Sequence, residues 1–403
     1  RKHLQKLHGI AAEIMVDYWK DDCSKYAEIA RQFEQAGKLK ESAHFYALAG
    51  TWARELFQET ESLNYLNKAV EILKQIGGEE KKVADHLMEI ALLFHGFGKY
   101  DLAMGYLRQA EKIYISAEGE ESLAQSSCLG NIASVKKGIG DYDGALEDLQ
   151  RALNIMQNNK DAKVYFIATC YCNMGECYQA KADFEKALEV YHKALKLRED
   201  HFGDSHEVVA NTLINLASLN SDINKHEQAK VYIDRAMQIY ETMQEANYLA
   251  RSIMYANAAR TYMELGFTEE GMEYNYKSLR LGKEGLGPKH PDTMLTQFNI
   301  AQVCIDNEDY EKAMELMLEV REAWQESLGE KHPWMALCLS SIGKLKTIAG
   351  DPHSGLEICC NALNILHEIH GKDHPWCSHL EENIGLAKKE LGMSDERGEQ
   401  KAE

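Results

Sequence analysis

The chain has 403 residues, of which 45% are hydrophobic and 27% charged, and its formal net charge is -19. Such a length exceeds one compact core and suits two or three domains or one repeat array. The composition is that of a folded protein, and no apolar run reaches the roughly 20 residues that cross a bilayer. The negative charge disfavours nucleic acid and anionic membranes as partners, because both require a cationic surface.

The first 78 residues contain helical segments without a regular period. "HLQKLHGIAAEIMVDYW" indicates an amphipathic helix, residues 26–50 indicate a helix pair, and a shortened first helix is expected to begin at Thr51. We predict an atypical helical section over 1–78. It resembles the helical segment that follows the nucleotide-binding module in multidomain signalling ATPases and some adenylyl cyclases. The resemblance implies a catalytic or switch domain upstream of Arg1.

From residue 79 the chain repeats itself every 42 residues. The repeat is visible in one column of small residues: Ala103, Ala145, Ala187, Ala229, Gly271, Ala313 and Gly355. Six equal intervals are not an accident of composition, and a period between about 20 and 50 predicts a solenoid.

Each repeat is predicted to be an antiparallel helix hairpin. Apolar residues recur at helical spacing over 171–178 and again over 184–198, with "AKAD" at 180–183 as the turn between them. The apolar face of one hairpin cannot be buried alone, so we expect neighbouring hairpins to stack. The small residues allow the helix backbones to approach closely.

The joints between repeats carry a second signature. "LGPKHPDT" (286–293), "LGEKHPWM" (328–335) and "HGKDHPWC" (370–377) place His290, His332 and His374 at the same spacing of 42. We expect these histidines to cap helices that begin with proline, because the first helical position needs no N–H.

The hairpin turns, the small residues and these joints resemble the tetratricopeptide repeat of the kinesin light chain class. The resemblance implies an all-α fold, a right-handed α-α superhelical solenoid. We predict seven repeats over 79–377, a capping helix over 378–391 and a disordered tail over 392–403.

A column of asparagines is not explained by packing. Asn131, Asn173, Asn215, Asn257 and Asn299 lie 42 apart in the first helix of successive repeats. Each lies about 150° from the centre of its packing stripe and is expected to face an inner groove. An amide offers two donors and two acceptor lone pairs, which suits the backbone of an extended peptide. The resemblance implies such peptide contacts, and the alternative is a structural ladder between helices.

Neighbouring inward positions are expected to set the specificity of this groove. The further candidate peptide-binding residues lie three after or four before a position of this column, in which Ser341 takes the place of the asparagine after Asn299. They are Glu176, Asn211, Ser218, Arg260, Gln302 and Lys344. Clamps of this family for a C-terminal carboxylate carry Lys or Arg four before the asparagine; here that set is neutral, so no such clamp is expected. Apolar residues in the later repeats and acidic residues at the rim favour a peptide with basic and apolar residues.

No motif for catalysis is found in the chain. Phosphate loops, zinc-protease, hydrolase and dinucleotide motifs are missing from the sequence. Cys170 and Cys177 share one face of a helix while Cys172 points about 160° away from Cys170, so we expect core packing and no metal site. We expect no cofactor and no enzymatic activity within this chain. Ten cysteines without secretory spacing indicate a cytoplasmic protein.

The sequence therefore predicts a non-enzymatic module that binds a peptide or a partner protein in the groove. The alternative is a regulatory or sensor region of a larger signalling ATPase or nucleotide cyclase. In that case the partner would be the upstream domains of the same polypeptide.

Overall fold

The computed structural model describes residues 2–19, 22–243, 248–372 and 375–393. These residues form an α-α solenoid of 19 α-helices without a β-strand. The helices are α1 Lys2–Trp19, α2 Tyr26–Ala36, α3 Leu39–Glu55, α4 Glu59–Ile76, α5 Glu80–Gly96, α6 Tyr100–Glu118, α7 Leu123–Gly138, α8 Tyr142–Asn158, α9 Val164–Ala180, α10 Phe184–Phe202, α11 Glu207–Asp222, α12 His226–Thr242, α13 Tyr248–Glu264, α14 Thr268–Gly285, α15 Pro291–Asp306, α16 Tyr310–Ser327, α17 Pro333–Ile348, α18 Pro352–His370 and α19 Pro375–Glu390.

The chain divides into two compact units, Arg1–Ala162 and Lys163–Glu403. In the first unit α1 packs on α2, α2 on α3, and α3 on α4, followed by the hairpins α5–α6 and α7–α8. In the second unit the hairpins α9–α10, α11–α12, α13–α14, α15–α16 and α17–α18 follow in chain order. Helix α19 packs against both α17 and α18. None of the described helices is both long and apolar enough to cross a membrane.

The predicted shortened helix beginning at Thr51 is wrong. Helix α3 continues through Thr51 to Glu55, and it packs on both α2 and α4. Gly50 does not end the helix: a Cβ there would lie 2.6 Å from Leu66 Cγ, so the glycine admits Leu66 of α4. The Ser62 hydroxyl donates to the Gly50 carbonyl at 2.8 Å. Close packing, not a turn, explains this glycine.

The small-residue column lies where the two helices of a hairpin approach most closely. Ala187, Ala229 and Ala313 have no solvent exposure. At Gly355 a Cβ would lie 2.7 Å from the carbonyl oxygen of Gly343 on the partner helix, a distance that Cβ atoms do not adopt. Hairpin packing in these repeats therefore depends on backbone-to-backbone contact.

The hairpin turns share one left-handed residue at the same repeat position. Glycine occupies it at Gly140, with φ 84°, and at Gly350, with φ 88°. Ala182, Asn224 and Glu308 adopt the same conformation with φ near 60°. The predicted turn over 180–183 is confirmed, and Asp183 caps α10 by accepting the Lys186 N–H. The repeat geometry therefore forces even residues with a Cβ into the left-handed region.

Two of the three joint histidines cap helices as predicted. The Nδ1 atom of His290 accepts the Asp292 N–H at 3.3 Å, and that of His332 accepts the Trp334 N–H at 3.1 Å. Pro291 and Pro333 occupy the first turn that follows. His374 and most of the predicted tail, 394–403, lie outside the described residues.

Candidate functional site on the first helices

The candidate site is the surface of the first helices that carries the asparagine column, here called the asparagine face. In the second unit it includes Asn173 on α9, Asn215 on α11, Asn257 on α13 and Asn299 on α15, all half-buried. Helix α11 packs against α9 and α13, and α15 packs against α17. Successive first helices therefore bring their asparagines onto neighbouring ridges.

Three of the asparagines have unused hydrogen-bonding groups. Within the described part of the chain, the side-chain amides of Asn173, Asn215 and Asn299 make no hydrogen bond to protein. A half-buried amide without a protein partner keeps its two donors and its carbonyl oxygen available to a ligand. These three positions can therefore accept a ligand without breaking an existing contact.

The remaining asparagines are engaged within the protein. Asn257 Nδ2 donates to the Ile253 carbonyl of its own helix at 2.9 Å. In the first unit, Asn131 Nδ2 lies 3.6 Å from Met88 Sδ of α5. In the last helix, Asn383 is buried and donates to Ser340 Oγ of α17 at 2.9 Å. The column thus has structural members as well as members that are open to a ligand.

The predicted positions beside the asparagines link successive first helices. Gln302 Nε2 donates to Ser341 Oγ at 2.7 Å, from α15 to α17. Ser218 accepts a hydrogen bond from Gln179 Nε2 of α9 at 3.3 Å. Arg260 is exposed, and its Nη1 lies 3.9 Å from Asp222 Oδ1 of α11. These contacts fix the spacing of the ridges on the asparagine face.

The other predicted site residues have separate surroundings. Asn211 is exposed, and its Oδ1 accepts the Tyr240 hydroxyl at 2.6 Å. Glu176 on α9 is exposed, and Lys344 on α17 is half-buried. The predicted residues are distributed along several first helices.

A cavity of about 430 Å³ opens on this face between α13 and α15. Four predicted site residues line it: Asn257, Arg260, Asn299 and Gln302. Its walls include Ile253 and Leu295, the apolar residues four before the two asparagines, together with Met263 and Val303. Asn275 of α14 and Asp292 of α15 also line it, although the sequence analysis did not select them.

The repeat register contains the signal that would have found Asn275. The equivalent residues in six other hairpins are apolar: Leu107, Leu149, Tyr191, Ile233, Met317 and Cys359. Asn275 is as buried as these residues, with 3% of its surface exposed. A single amide in a buried apolar column indicates a role other than packing.

Asp292 is likewise a polar residue at a repeat position that is mostly apolar in the other repeats. Equivalent residues in other repeats are Ala124, Phe166, Val208, Ala250, Trp334 and Trp376. Burial raises the pKa of the Asp292 carboxyl, and the neighbouring His290 acts in the opposite direction. Two polar residues replace apolar ones at one cavity.

The stacked hairpins and their small-residue contacts define a helical repeat protein, and sequence comparison identifies the family. The profile of the tetratricopeptide repeat matches residues 82–158, 166–242, 250–319 and 294–354, more than half of the chain. The chain therefore belongs to the tetratricopeptide repeat family. No curated protein matches it. The profile matches begin at residue 82, so the resemblance of 1–78 to signalling ATPases and cyclases stays a prediction.

Solved structures share this fold at low sequence identity. A Rap protein complexed with competence and sporulation factor is 17% identical, with a TM-score of 0.55 over 74% of this chain and 80% of that chain. The Rap conjugation gene regulator of plasmid pLS20, in complex with the Phr* peptide, is 16% identical, with a TM-score of 0.55 over 72% and 75%. Aspartyl phosphate phosphatase F from Bacillus subtilis is 14% identical, with a TM-score of 0.54 over 75% and 76%.

Proposed function

We propose that this chain is a non-enzymatic protein-interaction module that binds an extended peptide, or an extended segment of a partner protein, on its asparagine face. The observation that carries the proposal is the set of unused amides at Asn173, Asn215 and Asn299. They occupy the same position in three different repeats, and an extended backbone presents N–H and C=O groups at a regular rise.

The surroundings of these amides support a peptide over a small molecule. The candidate residues extend over several helices, whereas a small ligand is enclosed by one cavity. The Rap structures with peptide ligands show that a related fold accommodates this class of partner. The chain has a net charge of -19, which favours peptides that contain basic residues.

The test compares peptide affinity with and without the three amides. Peptides of 12 residues (roughly 40 Å when extended) are selected from a random displayed library on the immobilised wild-type chain. The triple variant Asn173→Ala, Asn215→Ala, Asn299→Ala is expected to bind the selected peptides at least about tenfold more weakly, because each amide contributes roughly 0.5–1.5 kcal/mol. Fluorescence anisotropy gives the dissociation constants.

The matched control replaces three exposed asparagines of second helices: Asn154→Ala, Asn361→Ala and Asn364→Ala. This control should retain wild-type affinity, and both triple variants should keep the helical circular dichroism spectrum. If the variant that lacks the amides of Asn173, Asn215 and Asn299 binds the peptides as tightly as the wild-type chain, the proposed role of the asparagine face is refuted.

A further inference from the structure

The cavity between α13 and α15 is lined by a polar side chain, Asn275, that makes no hydrogen bond within the described residues. Asn275 is 97% removed from solvent, since only 3% of its surface is exposed, and within the described residues its amide makes no hydrogen bond. Its amide atoms are not sealed within the protein, and the side chain lines the open cavity. Equivalent positions in other hairpins carry apolar side chains, so this amide is a polar group that a ligand in the cavity can contact.

Asp292 supplies a second acceptor in the same cavity. Its carboxylate Oδ2 lies 3.6 Å from His290 Nδ1. The same nitrogen accepts the Asp292 N–H at 3.3 Å as the helix cap. Burial raises the pKa of the Asp292 carboxyl and the neighbouring His290 lowers it. A cationic group beside this carboxylate would stabilise its charged form.

The remaining lining residues determine which charge and polarity of ligand the cavity favours. The charged lining residues are Arg260, Glu264 and Asp292, which together carry one net negative charge. The Arg260 guanidinium lies at 3.9 Å from Asp222 of α11 and is exposed. Ile253 and Leu295 provide apolar lining.

We propose that this cavity receives an arginine side chain of the bound peptide, an inference that rests on the proposed peptide-binding function. The guanidinium is planar and has five N–H donors, so it can donate to the Asp292 carboxylate and to the Asn275 carbonyl oxygen together. The three methylene groups of arginine pack along the apolar wall. A cavity of about 430 Å³ lies in the range of pockets for whole small ligands, so it has room for an arginine side chain.

The experiment measures how strongly the full chain discriminates arginine from an uncharged isostere. The probes are four labelled nine-residue peptide pools with randomised flanks and one fixed central residue: arginine, citrulline, lysine or methionine. Fluorescence anisotropy should show that the arginine pool binds the wild-type chain at least about tenfold more tightly than the citrulline pool, since a charge-assisted pair contributes roughly 1.5–3 kcal/mol.

Two variants assign this discrimination to the cavity. Asp292→Asn should bring the ratio of arginine to citrulline affinity close to one. Asn275→Met, which introduces the residue found at the equivalent Met317, should lower affinity for the arginine pool while the melting temperature is kept or raised. Glu311→Gln on the exposed surface of α16 is the charge-matched control and should keep the wild-type ratio.

The outcomes separate this inference from the proposed function. The arginine site is overturned if Asp292→Asn leaves the ratio of arginine to citrulline affinity unchanged, or if the lysine pool binds as tightly as the arginine pool. It is also overturned if all pools bind with the same affinity, but that result leaves peptide binding on the asparagine face intact. If no pool binds the wild-type chain, both proposals are wrong.

Discussion

At the scale of single residues, glycines inside helices divide into two kinds by what surrounds them. A Cβ at Gly343 would lie within 3 Å of the Gly355 carbonyl oxygen and of Cys359 Sγ, its neighbours on α18. A Cβ at Gly105 of α6 would meet nothing within 4 Å. The first glycine is required by packing, whereas the second only lowers helix propensity.

We therefore expect replacement of these two glycines by alanine to change the free energy of unfolding in opposite directions. Gly343→Ala should lower the free energy of unfolding by about 1–3 kcal/mol, because overpacking against backbone outweighs a propensity gain of at most about 1 kcal/mol. Gly105→Ala should raise it by about 0.5–1 kcal/mol. Urea denaturation followed by circular dichroism measures both; a stabilising Gly343→Ala would contradict the close approach of α17 and α18.

At the scale of the helices, a buried arginine joins three elements of the second unit. Arg198 of α10 has 6% of its surface exposed. Its Nη1 donates to the Val208 carbonyl at 3.0 Å and to Thr212 Oγ1 at 2.7 Å, both on α11. Its Nη2 donates to Thr169 Oγ1 of α9 at 3.1 Å. The planar fork, rather than charge alone, allows one side chain to contact both neighbouring helices.

This geometry predicts that lysine is a worse replacement than methionine. Arg198→Lys keeps a buried positive charge but lacks the fork, and it should lower the free energy of unfolding by about 2 kcal/mol. Arg198→Met removes the charge together with its desolvation cost and should destabilise less. Thermal and urea denaturation decide the order, with exposed Arg151→Lys as the control. If methionine destabilises more than lysine, the charge itself is the stabilising feature.

At the scale of the whole molecule, helices pack mainly on their neighbours in the chain. Helix α17 packs against α15, α16, α18 and α19. The stability of such an array is close to a sum of repeat and nearest-neighbour terms. Damage in one repeat should therefore spread only to adjacent repeats.

Hydrogen exchange measured by mass spectrometry tests this locality. Within residues 163–403, Gly343→Ala should reduce amide protection in α15–α19 and leave α9 and α10 close to wild type. Gly105→Ala, in the first unit, serves as the control and should leave protection in these helices unchanged. An equal loss of protection from α9 to α19 would instead show that the second unit unfolds as one cooperative block.

The 42-residue period by itself determined the order of helix hairpins, the close-packed small residues and the histidine caps. These features repeat because each depends on local spacing: helical periodicity, a turn or a cap. The register also relates Ala182 and Glu308 to Gly140, so their left-handed conformation can be read from the sequence. The predicted start of a helix at Thr51 is wrong because a glycine such as Gly50 is typical of either a helix end or a close contact, and the sequence does not distinguish the two.

Only the tertiary structure decided which asparagines are free to bind. Asn383 finds a partner in Ser340, and Asn131 finds one in Met88, whereas Asn173 has none among the described residues. Likewise, Asn275 and Asp292 come together only because α13, α14 and α15 enclose one cavity. These outcomes depend on distances between helices. Residue order fixes the face on which a side chain lies, but the packing of separate helices decides what that side chain meets.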